Sequence, residues 1–115
     1  MPYINKAILI GYVVDKSIFY KHSKGEHTII LTVSTSDRWT DKKSNKIQEN
    51  TEFHRIYLHK KVAELVNKYI YIGYLVYIEG QLRTRTIKVS DNRKIYETDI
   101  LVSKAHGTIR LLSRN

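Results

Sequence analysis

Apolar and polar residues alternate along most of the chain, the period of strands with one buried face. Lys6–Val14 (KAILIGYVV) is rich in β-formers, with Gly11 inside it as a bulge or a site of close backbone approach. Ser17–Tyr20 continues it after a kink. The polar run His22–Glu26, containing Gly25, reads as a hairpin turn. His27–Ser36 is a second strand with Ile29, Leu31 and Val33 on one face. Trp39–Asn50 is polar and basic and reads as a long exposed loop. Thr51–His59 is a third strand.

The period then changes. Val62, Leu65, Val66, Tyr69 and Ile70 fall on one face of a helix over Lys61–Tyr71. Glu64 and Lys68 pair at i, i+4 on the other face. Gly73 stands where a left-handed C-terminal cap wants glycine. Leu75–Arg85 is a fourth strand, Lys88–Arg93 a turn-rich tip, Lys94–Ser103 a fifth strand and Thr108–Leu112 a short sixth extension. The chain is therefore mainly β. Five strands with one helix between the third and fourth is the order of a five-stranded OB-fold barrel. An α+β sandwich with one covering helix fits the same string.

Charge narrows the partners. The 115 residues carry 20 Lys and Arg against 11 Asp and Glu, a formal net charge of +9, which points towards polyanions. The length fits a single domain, residues 1–115. Cysteine is absent, which excludes disulfides, thiolate metal sites and cysteine nucleophiles. No apolar run reaches the ~18 residues of a membrane span, so no membrane partner is expected. The five histidines never recur at a spacing that would put two metal ligands on one face. No phosphate-cradling glycine loop or dinucleotide fingerprint occurs. No metal, cofactor or catalysis is expected. The start, Met-Pro-Tyr-Ile-Asn-Lys, resembles no targeting segment, so a soluble protein of a reducing compartment, the cytoplasm, is expected.

Two strand faces carry candidate chemistry. If Ile56 and Leu58 point inward, Phe53, Arg55, Tyr57 and His59 point outward together. Aromatic faces stack on bases, worth about 1–3 kcal/mol per base, and cations between them meet phosphates. The alternative is that Phe53 and Tyr57 pack under a loop or against another subunit. On the fourth strand Val76, Ile78 and Leu82 point inward. Tyr77, Glu79, Gln81, Arg83, Arg85 and Ile87 point outward. Arg83 and Arg85 then lie about 7 Å apart, near the phosphate spacing of a stretched single strand. A charged edge that discourages strand pairing is the alternative use. Trp39, the lone tryptophan, stands beside Arg38 and shortly before Lys42 and Lys43, and suits a stacking platform better than a core. Glu97 and Asp99 share a face and read as surface charge.

These residues also carry a resemblance. Thr51-Glu52-Phe53-His54-Arg55, the helix after it, and the run VYIEGQLRTR (Val76–Arg85) are similar to the bacterial and mitochondrial single-stranded DNA-binding proteins (SSB). Asn5–Gly11 and Thr35–Trp39 fit the same template in the same order. The resemblance implies an OB fold assembled as a homotetramer around which single-stranded DNA wraps, acting in replication, repair and recombination. By position, Trp39 and Phe53 would be stacking aromatics. Arg55, Arg83 and Arg85, with Lys42, Lys43 and Lys88, would line the DNA path beside Tyr57. His54 would sit at a subunit interface, with Tyr77 and Gln81 near it. His59 stands where the family carries a further stacking aromatic, and Thr86-Ile87 where a tryptophan usually follows. The expectation is lower affinity per base, with more of it electrostatic. The sequence stops at Leu111–Asn115, about where the barrel ends. Partners recruited through an acidic tail are therefore not expected. Two other readings use the same barrel. One is a replication-restart module resembling primosomal replication protein B. The other is an RNA-binding barrel of cold-shock type.

Overall fold

The computed structural model describes residues 2–21 and 26–114. The elements are β1 (Ala7–Lys21), β2 (Glu26–Thr40), β3 (Ile47–His59), α1 (Lys61–Tyr69), β4 (Leu75–Ser90), β5 (Arg93–Val102) and β6 (Thr108–Ser113). The sheet order is β1-β2-β3-β5-β4, and β1 also pairs with β4, so five strands close into a barrel. All these pairings are antiparallel except β3 with β5. β6 adds to β4. With the helix between β3 and β4, this is the OB-fold order expected from the pattern.

Closure explains which apolar residues are buried. Inward positions of the strands, Val13, Ile29, Leu31, Val33, Ile56, Leu58, Val76, Ile78, Ile100 and Val102, form one core. Ala63 and Val66 of the helix, with Ile70 just past its end, complete it, with α1 packed on β2 and β3. Leu65 and Tyr69, expected on the buried face, are exposed. The helix buries only the narrower stripe of Val62, Ala63, Val66 and Ile70. Its last carbonyls are held by Lys16, whose Nζ donates to Asn67 O at 3.2 Å and Ile70 O at 2.9 Å. A cation there also suits the negative end of the helix dipole. Burial pushes the Lys16 ammonium below its usual value. Gly73 takes a φ of 94°, but it is not the cap expected: the helix ends at Ile70 in an extended conformation, and Gly73 serves the turn that follows.

The strands are longer than the pattern suggests. β1 is continuous, and its kink is a bulge where the register with β2 shifts between Val13 and Asp15. Gly11 is instead the close approach: it stands against β2. The segment over 39–50 is not a long loop. β2 and β3 stay paired out to Thr40 and Ile47, leaving only residues 41–46 to turn. Asp41 organises that turn, accepting from Lys43 N–H at 3.1 Å and Ser44 Oγ at 3.0 Å. Asn45 takes a φ of 58°, a conformation asparagine tolerates. β4 and β5 likewise run to a turn at Asp91-Asn92, so Lys88 lies on a strand and not in a tip. Leu82, expected inward, is 52% exposed because β4 has left the core by that point. The turn expected at His22–Glu26 lies almost wholly outside the described residues.

A Cβ at position 11 would lie 2.2 Å from the Ser34 carbonyl oxygen and 2.8 Å from a Val33 methyl carbon. Neither neighbour is a loose side-chain end. Gly11→Ala is therefore expected to destabilise by about 1–3 kcal/mol. Urea unfolding would show this as a lower midpoint at unchanged m. An unchanged midpoint would mean that β1 can step away from β2 freely.

Candidate nucleic-acid interface

Three strands supply one outward face. β5 lies between β3 and β4 in the sheet, so outward residues of all three meet. Tyr57 and His59 of β3, Arg83 and Arg85 of β4, and Asp99 and Leu101 of β5 line a hollow of about 140 Å³. A second hollow, of about 360 Å³, shares Asp99 and reaches Phe53, Arg55, Leu82 and Glu97.

The rings and cations are layered. Tyr57 and His59 have ring centroids 6.4 Å apart and inclined at 37°. The Arg85 guanidinium carbon stands 5.4 Å from the Tyr57 centroid, within cation–π range. His59 Nδ1 is buried with no hydrogen-bond partner among the described residues. Phe53 extends the row and is 65% exposed. A large ring that open is available for stacking.

The arginines differ in their surroundings. Arg55 Nη1 donates to Glu97 Oε2 at 3.0 Å. Arg85 Nε donates to Asp99 Oδ2 at 3.0 Å and its Nη2 to Glu97 Oε2 at 3.4 Å. Asp99 is only 4% exposed. The two carboxylates are thus built into the groove and are not surface charge at a strand edge. Their strand sits between the two arginine-bearing strands, a juxtaposition visible in sequence only once strand order is imposed. Among the described residues Arg83, Lys42 and Lys43 take part in no ion pair, whereas Lys88 lies 4.0 Å from Asp91. By alternation Lys88 also faces away from Arg83, Arg85 and Ile87.

The remaining predicted residues are dispersed. Trp39 is 51% exposed and sits opposite Gln48 on the β2–β3 arm, while Phe53 sits opposite Ser34. The two are therefore on opposite faces of that ribbon, and the structure does not bring them together. Lys42 and Lys43 are exposed at its tip. His54 points the other way from Phe53, with Nε2 2.8 Å from Thr35 Oγ1. Tyr77 and Gln81 lie on the outward face of β4, apart from His54.

Tyr77 belongs to its own polar cluster. Its hydroxyl donates to Glu79 Oε2 at 3.1 Å, and Lys6 Nζ lies 2.9 Å from Glu79 Oε1. The Lys6 hydrogen bond, then that of Tyr77, holds the Glu79 carboxyl below the usual range. The same contact with Glu79 raises Lys6 and Tyr77 above theirs. Around it lies an exposed apolar row, Ile8, Ile10 and Tyr12 on β1 and Leu112 on β6. Among the described residues no group of three or more His, Asp or Glu could hold a metal ion.

A barrel of this order, with rings and guanidiniums on the outward β3–β5–β4 face, can be set against known proteins. The model of the single-strand binding protein family matches residues 4–108. The chain belongs to that family. Among solved structures, the SSB of Plasmodium falciparum in complex with single-stranded DNA is similar at a TM-score of 0.83 and 28% identity. That match covers 98% of each chain. A deletion mutant of the single-stranded DNA-binding protein from Thermus aquaticus matches at a TM-score of 0.75 and 25% identity, over 96% of this chain and 51% of that one. Membership agrees with the resemblance carried by the TEFHR and VYIEGQLRTR segments.

The Glu79 cluster makes a pH prediction. A carboxyl depressed on folding stabilises fully above the ordinary carboxylate range, and that contribution is lost as pH falls through its folded value. Raised Lys6 keeps its contribution until pH climbs through its own folded value. Glu79→Gln should therefore lower the melting temperature near neutrality, and the gap to the native chain should close on acidification. A gap that persists below the carboxylate range would remove the cluster as its cause.

Proposed function

We propose that the protein binds single-stranded DNA without sequence preference and protects it during replication, repair and recombination. The observation that carries this reading is the outward β3–β5–β4 face, where the Tyr57–His59 pair lies beside Arg83, which no carboxylate within the described residues pairs, and the exposed Phe53 extends the row along β3. Family membership and the DNA-bound Plasmodium neighbour support it. Bases would stack on the rings of β3, and phosphates would meet Arg83 and the lysines of the β2–β3 arm. Because Ile87 and His59 offer little or no broad π surface, counterion release carries a large share of the affinity. Binding and protection of a strand require no bond chemistry, so the role is not enzymatic.

The exposed apolar row of β1 and β6 around Tyr77 supports assembly of several copies, which we read as a homotetramer. An apolar strip on the outside of a barrel is most simply covered by the same strip of another copy, related by a twofold axis.

An oligo-thymidine titration tests the DNA reading. Trp39 fluorescence should fall on binding, and log affinity should decline with log salt by about 0.7 per phosphate neutralised. Preference for duplex of equal length would overturn it. Arg83→Ala should weaken binding to all sequences alike, with a salt slope shallower by about 0.7 for each phosphate left without its cation. Weakening confined to one sequence would contradict a nonspecific mode. Sedimentation should give a tetramer that Ile10→Arg dissociates, while a native dimer would favour the replication-restart module.

A further inference from the structure

The groove holds as many carboxylates as arginines within reach of them. Arg55 and Arg85 each meet both acids, and the four charges cancel. The two acids are not equivalent. Asp99 is buried and lies against the Nε side, 3.0 Å from Arg85 Nε and 3.7 Å from Arg55 Nε. Glu97 is more open, with 31% of its side chain accessible. Its Oε2 reaches the outer nitrogens, Arg55 Nη1 at 3.0 Å and Arg85 Nη2 at 3.4 Å. One carboxylate oxygen of β5 therefore bridges two guanidiniums from the strands on either side of it. A phosphate oxygen would seek the same arrangement, since both anions take charge-assisted N–H bonds of similar length.

We propose that Glu97 is a resident competitor for phosphate in this groove, and that Asp99 is a positioning residue for Arg55 and Arg85. The inference rests on the single-stranded DNA reading above. Asp99, buried and in contact with both Nε atoms, keeps the guanidiniums aimed into the groove whether or not a strand is present. Glu97 occupies their outer nitrogens when the groove is empty and yields them when a phosphate arrives. Each phosphate entering there displaces a carboxylate of the protein instead of condensed counterions alone. The salt dependence is then shallower than the number of basic residues in the groove suggests, and binding is weaker at low salt.

Glu97→Gln keeps the shape and an acceptor oxygen but removes the charge. The test is titration of native chain and variant with one oligo-thymidine from 50 to 200 mM salt, with melting curves and sedimentation in parallel. The variant should bind several-fold tighter at low salt. Its slope should steepen by about 0.7 for one phosphate gained, so that its advantage shrinks about 2.6-fold across that range. Glu97→Asp should return the slope towards native. Weaker binding by Glu97→Gln, or a slope equal to native, overturns the inference while leaving the DNA reading intact. No binding by either chain overturns the DNA reading and this inference with it. A second measurement needs no variant. On saturating the native chain with oligo-thymidine, the carboxyl carbon-13 resonance of Glu97 should move and that of Asp99 should stay. If neither moves, Glu97 is not displaced and the inference fails.

Discussion

Barrel closure through β1 is the constraint on which the remaining structure depends. β1 must pair with β4 through Ala7–Tyr12 and with β2 through Tyr12–Lys21. A straight strand cannot lie along both neighbours, so the chain bends at the Val13–Asp15 bulge. Val13 is the pivot: its side chain is buried, its N–H bonds Tyr74 O at 2.9 Å, and its carbonyl accepts from Gly73 N–H at 2.8 Å. Those bonds tie the end of the helical connection to the bend. The absence of a side chain at Gly11 lets β1 reach β2 closely enough for the seam to close. Once it closes, β5 is forced between β3 and β4, and the outward face that carries the rings and guanidiniums exists.

Much of this is legible in the sequence. Alternation locates each strand, the shift to helical spacing locates α1, and the strand count points to the barrel. What alternation does not reveal is where each strand leaves the core. Leu82 has the parity of Val76 and Ile78 yet is exposed, because period two says which face a residue takes and not whether anything covers it. Leu65 and Tyr69 fail for a related reason, since helical spacing shows an apolar sector wider than the stripe the barrel end can accept. At 39–50 the many Lys, Asp and Asn residues suggest a loop, but continued pairing of β2 with β3 outweighs their low strand propensity.

The candidate site is half legible. Phe53, Arg55, Tyr57 and His59 follow from parity on one strand, and Arg83 and Arg85 from parity on another. Glu97 and Asp99 are visible as a pair but not as members of the site, because their meaning depends on a strand order that no local pattern encodes. The +9 charge changes meaning accordingly. Arg55 and Arg85 are locally neutralised, and Lys6, Arg38 and Lys88 also have acidic neighbours. Arg83, Lys42 and Lys43, by contrast, take part in no ion pair among the described residues.

The extended β2–β3 and β4–β5 ribbons have a further consequence. The radius of gyration is 16.7 Å, against about 13 Å for a closely packed domain of roughly this length. Much of the chain is thus ordered by ladder hydrogen bonds with no core beneath it. Local opening is easiest where apolar contacts are few. A single strand such as β2 therefore passes from amides that open only when the barrel unfolds, near Leu31, to amides that open and close independently, near Trp39. Adaptability and rigidity are divided along one continuous backbone, with no hinge residue separating them.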